Sequence, residues 1–184
     1  RVMMVDAEGN IYDGDQLLYA VVRGRLRQGR VAGVVGTLMS NLALEHALAE
    51  CQVPFVRADV GDRYVMDMLR QKGWLYGGEN SGHILCLDRH TTGDGIVSAL
   101  QVLATLREEG GDLQRLLGNL RLYPQKLINV ALSKGFPWKD HPLIGATKRE
   151  VEIELNGCGR VLLRASGTEP LLRFMVEGQD AATV

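Results

Sequence analysis

Val31-Ala32-Gly33-Val34-Val35, set between Gly29 and Gly36, is the stretch on which the fold turns. It is a short apolar run with no polar alternation, which predicts a strand covered on both faces. Upstream, Leu17, Leu18, Val21, Val22 and Leu26 fall on one broad stripe. That spacing predicts a helix over 16–27 capped by Asp13 or Asp15. Before it, residues 2–5 read as a strand followed by a turn at Ala7-Glu8-Gly9-Asn10. Downstream, Ser40 is placed to cap a helix that turns Leu42, Leu44, Ala47 and Leu48 inward. A strand follows over 54–60, then a helix opened by Asp62 and closed by Gly73. Two strands, 74–77 and 83–87, flank a polar turn, and Asp94 caps a long helix over 95–108. Strands alternating with helices predict a doubly wound α/β layer.

The rhythm changes near Leu120. A strand over 127–132 leads into a loop rich in Gly, Pro and aromatics over 133–142. A helix over 144–155 and two closely spaced strands, 160–164 and 171–176, complete the pattern. That order predicts a small α+β domain with an antiparallel sheet, and the boundary between the two parts falls near 121–124. Asp180 reads as the N-cap of a further helix with few residues after it, and the chain opens at Arg1. Both ends look cut, as in a piece of a longer protein.

Composition narrows the function classes. The 184 residues are 46% hydrophobic and 23% charged, close to globular averages, which argues against disorder and collagen-like repeats. The net charge of −1 argues against a nucleic-acid glove or a polybasic membrane patch. No apolar stretch approaches the roughly 18 residues of a membrane helix, and no signal peptide is evident. Cys51, Cys86 and Cys158 are widely spaced, so they are expected to be buried, reduced thiols in a cytoplasmic protein.

Three polar loops interrupt this pattern. Gly77-Gly78-Glu79-Asn80-Ser81-Gly82-His83 places a carboxylate, an amide, a hydroxyl and an imidazole within five positions. Such a set suits a polyhydroxylated ligand, whose hydroxyls each want a donor and an acceptor; a solvated turn satisfying its own backbone is the other reading. Arg164-Ala165-Ser166-Gly167-Thr168-Glu169-Pro170, with Arg173 just beyond, offers hydroxyls, a glycine and two guanidinium groups as a cradle for a dianionic phosphate. A hairpin with solvated arginines is its alternative. Thr91-Thr92-Gly93-Asp94-Gly95 and Gly61-Asp62-Arg63 read by themselves as helix entries. No Walker loop or dinucleotide fingerprint is present. His46, His90 and His141 lack metal-ligand spacing, and Cys158 has no neighbouring His to activate it.

Taken together and in this order, the three loops resemble the α-D-phosphohexomutase superfamily. Val35-Gly36-Thr37-Leu38-Met39-Ser40-Asn41, Val60-Gly61-Asp62-Arg63-Tyr64-Val65 and the Thr-Thr-Gly-Asp-Gly run further resemble its bacterial amino-sugar branch. The resemblance implies a four-domain parent in which a phosphoserine donates a phosphoryl group and an Asp-Gly-Asp-Gly-Asp-Arg loop holds Mg²⁺. Arg1 is similar to the last residue of that loop. Residues 1–14 would then end the second, metal-loop domain. Residues 15–121 would form a three-layer α/β sugar-binding domain, and 122–184 a phosphate-binding α+β domain lacking its last helix.

The same resemblance assigns Glu79, Asn80 and Ser81 to the sugar, with His83 and Arg1 at the reacting end. It assigns Arg164, Ser166, Gly167, Thr168 and Arg173 to the substrate's non-reacting phosphate. The substrate implied is a phosphorylated hexosamine, with a glucose or glucosamine 1,6-bisphosphate as activator and intermediate; neither nucleic acid nor membrane is an implied partner. The phosphoserine and the metal-binding aspartates are not among these residues, so the chain alone is expected to be inactive. Asp62 is a conceivable partner for the sugar amine. A phosphomannomutase or phosphoglucomutase of the same superfamily, and a non-catalytic sugar-phosphate-binding module, are the competing readings.

Overall fold

In the computed structural model, which describes residues 1–133, 135–166 and 169–184, the chain divides into two units, 1–121 and 122–184. The first opens with a short antiparallel hairpin, β1 (Met4–Val5) and β2 (Ile11–Tyr12). Helix α1 (Gly14–Gln28) follows. Its N-cap is Asp13, whose carboxylate accepts from the Asp15 and Gln16 backbone while Gln16 Oε1 accepts from Asp13 N. This reciprocal capping box is what the Asp-x-x-Gln spacing encodes. Strand β3 (Val34–Thr37) is buried throughout, as the apolar run at 31–35 requires.

Helix α2 (Leu42–Glu50) corrects one expectation: its N-cap is Asn41, not Ser40. Ser40 turns inward instead, and its Oγ accepts from Thr37 N at 3.0 Å. Either residue type can cap a helix, so one position of chain direction decided the matter. Strand β4 (Phe55–Ala58), helix α3 (Asp62–Lys72), strands β5 (Tyr76–Gly78) and β6 (Ile84–Cys86) and helix α4 (Gly95–Glu108) follow. A short helix α5 (Leu113–Leu117), capped by Asp112, was not foreseen; its apolar residues Leu113, Leu116 and Leu117 are too few to show a period.

The four-strand sheet runs β4-β3-β5-β6, parallel except for β6. The crossover from β3 to β4 and the return from β4 to β5 place their helices on opposite faces. Accordingly α1 packs with α2 and α4, while α3 lies on β3, β4 and β5. Under α3 the core is Val35, Ala58, Val65, Leu69 and Leu85. The result is a three-layer α/β unit.

The second unit is a three-strand antiparallel sheet, β7 (Gln125–Ala131), β8 (Gly159–Ala165) and β9 (Leu171–Gly178), in the order β7-β9-β8. Helix α6 (Pro142–Glu154) packs beside β8. No residue of β7 or α6 is buried. An apolar groove of about 450 Å³ separates α6 from the sheet, lined among others by Ile128, Val130, Leu143, Ile144 and Phe174. Asp180 forms a turn, accepting from Ala182 N at 3.1 Å.

The cysteines also differ from expectation. Only Cys86 is buried; Cys51 is half-buried and Cys158 exposed, the last in the turn between α6 and β8. Burial pushes the Cys86 thiol up to about 12.

Candidate functional site

In the first unit the polar loop 79–83 follows the C-terminal end of β5. The segments 38–41 and 59–61 leave the C-terminal ends of β3 and β4. In an open parallel sheet, chain reversal between neighbouring strands opens a crevice at that edge, where ligands bind. Here the reversal falls between β3 and β5, since β4 lies on the far side of β3.

The loop is held chiefly by backbone. Glu79 N donates to His83 O at 3.0 Å and Gly82 N to Glu79 O at 3.0 Å. Gly14 N, at the start of α1, donates to Asn80 O at 3.0 Å, and Val2 N to Gly82 O at 2.9 Å. Gly82 adopts φ +86°, and a Cβ there would meet Val2 O at 2.1 Å, so both conformation and approach demand glycine. Glu79 is buried, and its Oε1 accepts from Gly61 N at 2.9 Å. Asn80, Ser81 and His83 are half-buried.

His83 is oriented through one ring edge. Its Nε2 donates to Gly93 O at 3.0 Å, and a Cβ on Gly93 would strike that nitrogen at 2.0 Å. Its Nδ1 lies 3.7 Å from Asp62 Oδ2. This explains the glycine of the Thr91–Gly95 run, which sequence alone read as a helix entry. The Arg1 backbone lies close against Gly95, where a Cβ would meet Arg1 O at 2.6 Å, and Arg1 itself is exposed. The structure thus brings together Glu79, Asn80, Ser81, His83 and the Arg1 backbone.

Two supports went unread in the sequence. Asp15 is fully buried; its Oδ2 accepts from Asn41 N at 2.7 Å, and its Oδ1 has no hydrogen-bond partner among the described residues. Burial, with the Asp13 carboxylate adding to it, pushes Asp15 up to about 7. Arg57 grips the same segment, donating to Thr37 O at 3.0 Å and Ser40 O at 2.6 Å, and pairs with Glu45 at 2.8 Å. Residues 37–41 are therefore clamped from below. A charge at Asp15, so early in an amphipathic helix, reads in sequence only as a cap.

In the second unit, Arg164 on β8 and Arg173 on β9 are direct cross-strand partners. Like charges facing each other destabilise a sheet unless something offsets them. Both Nε atoms are buried with no hydrogen-bond partner among the described residues. Arg173 Nη2 reaches Ser166 Oγ at 3.3 Å and Glu169 Oε2 at 3.1 Å. The structure brings Arg164, Ser166 and Arg173 together at one end of the hairpin. Gly167 and Thr168, the other residues expected here, lie outside the described residues.

Among the described residues no three His, Cys, Asp or Glu side chains converge to hold a metal ion. The described residues therefore do not fit a magnesium site. No described helix is long and apolar enough to cross a membrane.

With this geometry in view, the likenesses to known proteins are informative. The family described as phosphoglucomutase/phosphomannomutase, alpha/beta/alpha domain III, matches residues 13–123. Its C-terminal domain family matches residues 127–184. Phosphoglucosamine mutase of Dechloromonas aromatica is 72% identical over 184 residues, covering 100% of this chain and 41% of that protein. Phosphoglucosamine mutase of Bordetella petrii is 59% identical over 182 residues, covering 99% of this chain and 41% of that protein. The chain thus spans well under half the length of these relatives. Among solved structures, N-acetylphosphoglucosamine mutase of Aspergillus fumigatus, in complex with GlcNAc-6P and magnesium, is similar in fold. Its TM-score is 0.78 at 19% identity, over 98% of this chain and 43% of that one. A phosphoglucomutase/phosphomannomutase family protein from Burkholderia thailandensis has a TM-score of 0.75 at 19% identity, over 99% of this chain and 41% of that one.

Proposed function

The chain belongs to the phosphoglucomutase/phosphomannomutase family, and on that premise we propose that it is the substrate-holding part of a phosphoglucosamine mutase. The whole enzyme interconverts glucosamine 6-phosphate and glucosamine 1-phosphate in the cytoplasm, on the path to UDP-N-acetylglucosamine. A phosphoserine and a bisphosphorylated intermediate carry the phosphoryl group, and magnesium is held by residues outside this chain. The amino-sugar reading is favoured over a phosphomannomutase or phosphoglucomutase by the names of relatives 72% and 59% identical to it.

The observation that carries this reading is the facing pair Arg164 and Arg173, whose Nε atoms are buried and have no hydrogen-bond partner among the described residues. A phosphate dianion supplies both charge and acceptors, and guanidinium forks match its oxygens. Ser166, beside Arg173, adds a hydroxyl. Such a cradle reads charge and shape rather than sugar identity, so it can hold either end of a hexose that turns around during the reaction. Glu79, Asn80 and Ser81 accept and donate to sugar hydroxyls from a loop whose backbone is already fixed. His83, oriented by Gly93, sits where a proton can be held near the reacting end.

The test is a titration of the chain with inorganic phosphate and with glucosamine 6-phosphate, followed by amide NMR. Saturable shifts at Ser166 and Arg173 are expected with both ligands; their absence overturns the phosphate assignment. In a coupled mutase assay the chain by itself is expected to show no turnover, because a positioned nucleophile and a charge-neutralising metal are both needed for phosphoryl transfer.

A further inference from the structure

We propose that Asp62 reads the sugar's amine: its carboxylate receives the ammonium group of a phosphorylated hexosamine beside the 79–83 loop. This rests on the mutase reading and deepens it, by naming the residue that separates hexosamines from plain hexoses.

Asp62 is the first residue of α3, and the residue before it is fastened to the loop by the bond from Gly61 N to Glu79 Oε1. The backbone at the start of α3 is therefore held to the loop through the buried Glu79 carboxylate. Its carboxylate is open to solvent, 59% exposed, while Glu79 is buried. Arg63, its neighbour, is directed instead to Asp67, at 3.9 Å. Among the described residues no lysine or arginine stands within ion-pair distance of Asp62.

The partner it does face is His83, and that contact is incomplete. At 3.7 Å, Asp62 Oδ2 and His83 Nδ1 are too far apart for a hydrogen bond. Nε2 carries the hydrogen given to Gly93 O, so Nδ1 is the ring edge left facing Asp62. The Asp62 carboxylate and this ring edge thus stand side by side with no hydrogen bond joining them. An ammonium group brings three donors and a positive charge, enough to serve both. A hydroxyl brings one donor and no charge, so the same position on a plain hexose leaves the carboxylate without a counter-charge.

The experiment compares the unaltered chain with Asp62→Asn and Asp62→Ala, each titrated with glucosamine 6-phosphate and glucose 6-phosphate and read by amide shifts at residues 79–83. Both variants are expected to bind glucosamine 6-phosphate about fivefold more weakly, the scale of a partly exposed charge-assisted contact. Glucose 6-phosphate is expected to stay within about twofold. Equal losses on the two ligands would overturn the proposal and assign Asp62 to holding His83 instead; unchanged binding of the amino sugar would overturn it as well. If neither ligand moves residues 79–83 of the unaltered chain, the sugar-site reading itself falls, and this inference with it. Spectra unchanged away from the site establish that each variant is folded.

Discussion

The loop over 79–83 in the first unit and the β8–β9 hairpin in the second are built by opposite means. In the first, backbone does the holding: four hydrogen bonds tie the loop to itself, to α1 and to residue 2, and Glu79 is bonded to Gly61. In the second, side-chain charge dominates: Arg164 stands opposite Arg173, and among the described residues Glu169 is the acidic partner of the pair. The surroundings differ in the same sense. The β4-β3-β5-β6 sheet has helices on both faces, whereas β7 is exposed throughout and no residue of α6 is buried. The contrast shows two ways to make a polar site. A sugar's uncharged hydroxyls need a preformed shape, and a phosphate's charge can itself complete an unfinished site.

The sharpest challenge to this contrast lies in the core. Leu69, fully buried under β3 and β5, is expected to lower stability by about 3 kcal/mol when changed to Ala. A thermal melt losing much less would show that the first unit is not the rigid partner. Next come the arginines: Arg164→Ala or Arg173→Ala should each weaken phosphate binding about tenfold, a charge-assisted bond's worth. Calorimetry should also show no loss of stability without phosphate, since each change removes a like-charge confrontation.

A smaller effect concerns pH. The folded-state pKa of Asp15, about 7, lies above its ordinary 3.8. The folded protein therefore binds a proton that the unfolded chain releases. Stability from this group is fully present below about pH 4 and is lost as pH rises through about 7, by at most about 1.4 kcal/mol per pH unit. Asp15→Asn keeps an oxygen for Asn41 N and should flatten that slope in urea melts between pH 4 and 8. The smallest change expected is Leu143→Ala in α6, under about 0.5 kcal/mol, because Leu143 is 72% exposed beside the open groove. A large destabilisation there would mean that the second unit packs more tightly than its exposure indicates.

Much of the local architecture was legible. Asp13 with Gln16, Asp94 before Gly95, and Gly73 after α3 act over one turn of chain, so sequence reads them directly. The exchange of Ser40 for Asn41 as the cap, and the unseen α5, show the limit: where two neighbours share a propensity, or a helix is too short to show a period, packing decides. The cysteines make the same point. A thiol's composition says nothing of whether it faces solvent, and Cys158 does.

By itself the sequence determined most of the strands and helices, that the first part is a layered α/β unit and the second a small antiparallel one, and which loops are too polar to be mere connections. These follow from periodicity and short-range chemistry, which act between residues a few positions apart. Only the tertiary structure decided that Glu79 fastens Gly61, that Asp15 and Arg57 clamp residues 37–41, that Asp62 meets His83, and that Arg164 stands opposite Arg173. Each pairing joins residues separated along the chain, and its register depends on how strands align and helices dock. No local preference encodes that alignment.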